Sequence, residues 1–135
     1  MAPSGSSGLK VRVRMYRQGF GDCFLLTFMQ GSSRTHMMID CGVHASYPGG
    51  PGRIKSVVNH IKKDTNGQVA VLAVTHVHWD HVSGFDQASD VFKTFKVGES
   101  WSSWTEDPDD PTAKAIRGHY AKARTAVRAA AREIT

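Results

Sequence analysis

The feature that most constrains the fold is an uninterrupted apolar run followed directly by a segment rich in histidine. Residues 69–74 read Val-Ala-Val-Leu-Ala-Val, and residues 75–81 read Thr-His-Val-His-Trp-Asp-His. A short apolar run without polar alternation is typical of a strand that is buried on both faces in the middle of a sheet. The sequence therefore predicts a buried strand whose carboxyl end delivers the histidine-rich segment.

Three histidines and one aspartate in this segment form a concentrated set of metal ligands: His76, His78, Asp80 and His81. Imidazole nitrogens and carboxylate oxygens are ligands that zinc, iron and manganese accept. If the strand continues as extended chain, His76, His78 and Asp80 share a face, while His81 points elsewhere. The pattern favours two adjacent metal ions, with His76 and His78 on the first and Asp80 and His81 on the second. The alternative is a polar loop that happens to contain histidines.

The preceding sequence predicts a sheet that presents this segment at one edge. Leu9 to Tyr16 alternates apolar and polar residues, which is typical of a half-buried outer strand. A hairpin, a third strand and an amphipathic helix should follow before the buried strand, and a strand–helix–strand crossover places ligand sites beyond the carboxyl ends of its strands. The predicted elements are strands at Cys23–Met29 and Thr35–Asp40 and a helix from Ile54 to Lys63.

The sequence after the histidine segment predicts two helices and one strand. A short helix should follow Gly84, and a strand should cover Thr94–Val97. Asp110 and Pro111 are typical of the first residues of a helix, and apolar residues then recur at helical spacing as far as Ile134. His119 is the only histidine after His81 and is interpreted as a helix-face residue.

Length and composition favour one globular domain over residues 9–135, with residues 1–8 as a flexible tail. No apolar run approaches the roughly 20 residues that a membrane span needs. The two cysteines, Cys23 and Cys41, form no Cys-x-x-Cys pair, and reduced thiols would agree with a cytoplasmic protein. The net charge of +5 allows attraction to nucleic acid, although basic runs are more often solvated helix faces.

The ligand segment resembles the signature of the metallo-β-lactamase superfamily. Residues 18–23 (Gln-Gly-Phe-Gly-Asp-Cys) and 38–42 (Met-Ile-Asp-Cys-Gly) are more closely similar to its competence-related ComEC branch. The resemblance covers about residues 9–104. It implies the N-terminal half of an αββα sandwich, a mixed sheet with flanking helices of the α+β or α/β class.

The resemblance also implies a chemistry. Two zinc ions, or iron or manganese in their place, would hold a hydroxide that attacks a phosphodiester or ester. His76, His78 and His81 would be metal ligands, and Asp80 would bind metal and orient the nucleophile. Asp40 would accept a hydrogen bond from a motif histidine and so fix its tautomer. Phosphodiesters, including nucleic acid, rank above lactones and thioesters as substrates.

The chain departs from the superfamily pattern after His81, because active members supply further histidines and a bridging aspartate from their second half. Three explanations stay open: a fragment of a longer protein, a shortened homologue that binds metal weakly, or a site completed by a partner or by a second copy of the chain. Two function classes follow. One is a hydrolase, and the other is a non-catalytic module for metal binding or protein interaction.

Overall fold

The computed structural model describes residues 8–133, so residues 1–7 of the predicted tail and Ile134 lie outside the described residues. The chain divides into two compact units, the first ending at Trp101 and the second beginning at Ser102. The prediction of a single domain over residues 9–135 stays a prediction.

The first unit contains one five-stranded sheet with helices beside it, which confirms the predicted mixed α+β fold. The strands follow the sequence order across the sheet; the first three are antiparallel, and the last two are parallel to the third. The carboxyl ends of the third, fourth and fifth strands therefore lie at the same edge. The elements are β1 (Lys10–Met15), β2 (Phe24–Gln30), β3 (Ser33–Ile39), α1 (Gly50–Thr65), β4 (Gln68–Ala73), α2 (Trp79–Gln87), α3 (Ser89–Phe92) and β5 (Lys96–Trp101).

Helix α1 makes the crossover between β3 and β4, as the sequence predicted, but it is longer than Ile54 to Lys63 at both ends. It contains Pro51 in its first turn, where a missing backbone N–H costs nothing. Its C-terminal cap is Asn66, whose left-handed φ of 52° lets the backbone N–H bond to the Lys62 carbonyl. Both end signals lie outside the apolar periodicity, so the periodicity alone gave a helix that was too short.

The hydrophobic core lies between α1 and one face of the sheet. Leu25 of β2 and Met38 of β3 are paired in register, and both are buried. Ile54, Val58 and Ile61 are fully buried at helical spacing along α1. Burying side chains of this size stabilises the fold by about 1.5–3 kcal/mol each. This packing fixes the side of the sheet that carries the helix.

The opposite face of the sheet is apolar but exposed. Val11, Val13 and Met15 of β1 are 47%, 62% and 62% exposed. β1 is the predicted outer strand, but its apolar side is the one that faces solvent. The polar side faces α1 instead, because Arg12 and Arg14 both bind the Asp64 carboxylate, at 3.0 and 2.9 Å.

The second unit contains a short 3₁₀ turn at Trp104–Glu106 and helix α4 at Pro111–Glu133. The predicted cap is confirmed, since the Asp110 carboxylate accepts a hydrogen bond from the Ala113 N–H at 2.8 Å. Tyr120 and Val127 of the predicted apolar stripe are both 69% exposed. Between residues 8 and 133, no helix is both long enough and apolar enough for a membrane crossing.

Candidate metal centre

The histidine segment starts from the carboxyl end of β4 and changes direction at His78. The chain is extended at His78, and helix α2 begins at Trp79. The His78 carbonyl accepts hydrogen bonds from the N–H groups of His81 and Val82, at 2.9 and 3.1 Å. The prediction that the chain stays extended as far as Asp80 is therefore wrong, because a helical turn closes over the last three residues of the segment.

This turn brings His81 back towards the other histidines. The ring centroids of His76 and His81 are 3.9 Å apart, and those of His76 and His78 are 4.5 Å apart. His81 Nε2 lies 3.6 Å from the Asp80 carboxylate. The prediction that His81 points elsewhere is wrong, and the four predicted ligands form one contiguous group. The side chains of Asp80 and His81 are 24% and 15% exposed, so water can reach them.

Asp40 lies at the end of β3, behind His81, with its side chain only 3% exposed. One carboxylate oxygen accepts the Thr75 backbone N–H at 2.8 Å. The other accepts the Thr75 hydroxyl at 2.6 Å and His81 Nδ1–H at 2.9 Å. Because an ionised carboxylate only accepts, this contact puts the His81 proton on Nδ1 and leaves the lone pair on Nε2.

Asp22, just before β2, is a further member of this cluster that was not among the predicted site residues. Its carboxylate is 3.5 Å from His81 Nδ1. Asp22, Asp40 and His81 each offer a ligand atom, and these atoms lie within 4.8 Å of one another. The only sequence signal was the Gly21-Asp22 pair in the stretch that resembles the competence-related branch.

Three loops meet backbone to backbone at this edge of the sheet. The Asp22 N–H donates to the Asp80 carbonyl at 3.1 Å, and the Cys41 N–H donates to the His81 carbonyl at 2.8 Å. A Cβ at Gly42 would lie 2.3 Å from the Asp80 carbonyl oxygen, which no side chain could tolerate. Cys41 thus approaches the cluster through its backbone, while its side chain is buried in the core.

The donor set fits a divalent transition metal ion. It combines imidazole nitrogens with carboxylate oxygens, and the buried carboxylate behind it, Asp40, is hydrogen-bonded rather than left as an uncompensated charge. The orientation of His81 by Asp40 is the carboxylate–imidazole arrangement that metal sites commonly use. Several metals share these ligand preferences, so the donor set does not distinguish zinc from iron or manganese.

A family model described as the metallo-beta-lactamase superfamily matches residues 16–124, a stretch that runs through most of both units. The chain therefore belongs to the metallo-beta-lactamase superfamily, whose members are typically metal-dependent hydrolases. No curated protein matches the chain significantly.

Proposed function

We propose that this chain carries one wall of a binuclear metal centre in a hydrolase that cleaves phosphodiester or ester bonds. The observation that carries the proposal is the contact between Asp40 and His81, which leaves His81 Nε2 free beside Asp80. His76, His78, Asp80 and His81 would hold the metal, with zinc as the first choice for imidazole-rich sites.

Asp40 is better suited to orient a ligand than to be one. Its two oxygens already accept three hydrogen bonds from Thr75 and His81. A cation placed between Asp22, Asp40 and His81 would have to remove the proton from His81 Nδ1 and break these bonds. We therefore place the metal on the Nε2 side of His81, and assign Asp22 and Asp40 to the support of that ring.

When bound, zinc would lower the pKa of water and would supply a positive charge that polarises the ester or phosphoryl oxygen. The protein's own groups supply the positioning. Asp80 would orient the attacking water through its carboxylate, which lies 3.6 Å from His81 Nε2. Asp40 would keep His81 in one tautomer while charge develops in the transition state.

We propose further that the centre is completed by a second half, as in the competence-related branch that residues 18–23 and 38–42 resemble. The exposed apolar side chains of Val11, Val13 and Met15 support this, because a sandwich would cover such a face with a second sheet. The remaining ligands would come from further polypeptide or from a partner.

A non-catalytic metal-binding module is the second candidate function. It is favoured by one observation, that His119 is the only histidine after His81 in the sequence. In that case the cluster would bind metal with its present donors alone, and the apolar face would serve association with another protein rather than catalysis.

The two candidates differ in metal content and turnover. We would load the chain, together with the second half that completes the centre, with zinc, measure bound metal by mass spectrometry, and assay hydrolysis of bis(p-nitrophenyl) phosphate. The hydrolase proposal expects turnover that falls by about 100-fold or more in Asp80→Ala, by the loss of a positioning carboxylate. Asp86→Ala removes an exposed carboxylate from the same helix and should leave turnover unchanged. Unchanged turnover in Asp80→Ala would exclude Asp80 from the mechanism, whereas bound zinc without turnover would favour the binding module.

A further inference from the structure

A cavity of about 480 Å³ lies at the same edge of the sheet as the candidate metal centre. β1 runs parallel to β3 and β4, so its carboxyl end lies at the same edge of the sheet as the loop that follows β4. The residues around the cavity include Met15, Tyr16, Arg17, Gly21, Tyr47 and Arg53. None of them belongs to the group of histidines and carboxylates already described.

One glycine separates the cavity from the histidine segment. A Cβ on Gly21 would lie 2.5 Å from the Asp80 carbonyl oxygen, so the two backbones are in direct contact. Gly21 also has a φ of 148°, which side chains rarely adopt. The next residue, Asp22, bonds through its N–H to that same carbonyl at 3.1 Å. The cavity and the histidine segment are therefore adjacent across the backbone of Gly21.

The cavity is positively charged. Arg17 and Arg53 line it, and no carboxylate does so among the described residues. The Arg53 guanidinium lies 5.3 Å from the centroid of the Tyr47 ring and 3.5 Å from its hydroxyl. These contacts position the cation without neutralising it. Arg53 is also in the first turn of α1. That turn contains no acidic residue and has no side-chain cap, so the helix dipole adds to the positive potential.

We propose that this cavity is the subsite for a phosphate that flanks the scissile bond, which makes the substrate a chain of phosphodiesters rather than a single ester. The inference rests on the proposed hydrolase function. Guanidinium groups favour phosphate because their planar N–H donors match its oxygens.

The cavity would bind the backbone of the strand rather than its bases. One side of the Tyr47 ring faces the Arg53 guanidinium, and a Cβ on Gly19 would lie 2.6 Å from Tyr47 Cδ1. The ring thus packs against both Arg53 and Gly19, which leaves less of its surface for stacking with a base. Binding should consequently depend on salt and vary little with base sequence.

Binding without metal tests this inference separately from hydrolysis. We would measure the anisotropy of a labelled single-stranded thymidine oligonucleotide in the presence of a chelator, at several salt concentrations. Arg17→Gln and Arg53→Gln should each weaken binding by about tenfold and each reduce the salt slope by roughly 0.7, the value for one contact to a single strand. Arg34→Gln is the matched control, because it removes an exposed arginine that does not line this cavity.

Each outcome decides the inference. It is supported if the two cavity variants bind more weakly than both wild type and Arg34→Gln. It is overturned if wild type does not bind, if all three variants weaken binding equally, or if a methylphosphonate strand without charge binds as well. Displacement of the strand by an equal concentration of inorganic phosphate would show a site for free phosphate and overturn the assignment to a strand. If wild type bound the strand but did not hydrolyse it, the proposed function would be contradicted, and the binding result would still support the phosphate subsite.

Discussion

The Nδ1 atom of His81 lies 2.9 Å from the Asp40 carboxylate, which is almost completely buried. This contact fixes the His81 tautomer. The Asp40→Asn variant tests whether that tautomer is needed for metal binding. Asparagine has the same shape and tolerates the left-handed backbone at this position, where φ is 52°. Its amide can donate to Nδ1, which would move the histidine proton to Nε2 and block that lone pair. We expect zinc affinity to fall by about 10–100-fold, measured by competition with a chromophoric chelator.

Asp90→Asn is the control for that variant. Asp90 is an exposed carboxylate paired with Lys55, at 2.8 Å, and it lies outside the cluster. Both variants should keep the circular dichroism spectrum of the wild type. Equal zinc affinity in Asp40→Asn and wild type would show that Asp40 does not orient a ligand.

Gly42→Ala should disrupt the cluster through the backbone. The added methyl group would lie 2.3 Å from the Asp80 carbonyl oxygen and 2.5 Å from the backbone nitrogen of His81, so the histidine segment must move. We expect a loss of about 1–3 kcal/mol in the free energy of unfolding, the usual cost of overpacking, together with weaker zinc binding. Urea denaturation measures the first effect and chelator competition the second.

Gly52→Ala is the matched control for Gly42→Ala. Gly52 lies in α1, and a Cβ there would meet no atom within 4 Å. Alanine should stabilise the helix by roughly 0.4–1 kcal/mol because it restricts the unfolded chain. If both alanine variants unfolded at the same urea concentration, the tight contact at Gly42 would have no energetic consequence.

The residues of the candidate centre could be read from sequence, but their arrangement could not. The spacing of His76, His78, Asp80 and His81 indicated a ligand set at the end of a buried strand. The direction of His81 depends on where α2 begins, and the predicted start after Gly84 was too late. The first turn of α2 is closed by backbone hydrogen bonds to the His78 carbonyl, and its residues show no apolar periodicity. Helical spacing of apolar residues therefore could not reveal it. The contact of Asp22 with His81 depends on a loop that is far away in sequence.

The outer strand could be predicted from the sequence, but the face that it turns towards the helix could not. Alternation in residues 9–16 predicts a strand, but it does not say which face meets the helix. That choice depends on Asp64, which binds Arg12 and Arg14 from a helix some 50 positions later. Two partly buried ion pairs to one carboxylate accompany this orientation, and turning the strand over would leave Asp64 without them.

The buried cysteines should be unreactive in the folded protein. Cys23 and Cys41 are free thiols with no exposed surface. A hydrogen bond with Cys41 and burial raise the pKa of Cys23 well above its usual value, so little reactive thiolate forms. We expect a thiol-disulfide reagent to modify the native chain roughly 100-fold more slowly than the urea-unfolded chain. Rapid labelling of two thiols before any loss of circular dichroism would contradict the buried placement.

His36 should make the stability of the fold depend on pH. It is a buried residue of β3, and its Nδ1 lies 3.2 Å from the Thr27 hydroxyl. Burial lowers the pKa of His36, and Asp64 opposes this shift only in part. Because the pKa is lower in the folded state, the unfolded chain binds the proton more readily. The contribution of His36 is therefore complete above the ordinary histidine pKa of about 6.5 and is lost as the pH falls through the folded value.

The test is urea denaturation of wild type and of His36→Gln between about pH 7 and pH 5, the range in which histidine titrates. Glutamine preserves a polar partner for Thr27 but does not titrate. The wild-type free energy of unfolding should fall more steeply with acidification than that of the variant. His60→Gln, which removes an exposed histidine bonded to the Tyr16 hydroxyl, is the control variant. Parallel slopes for wild type and His36→Gln would mean that the buried imidazole is protonated as easily in the fold as in the unfolded chain.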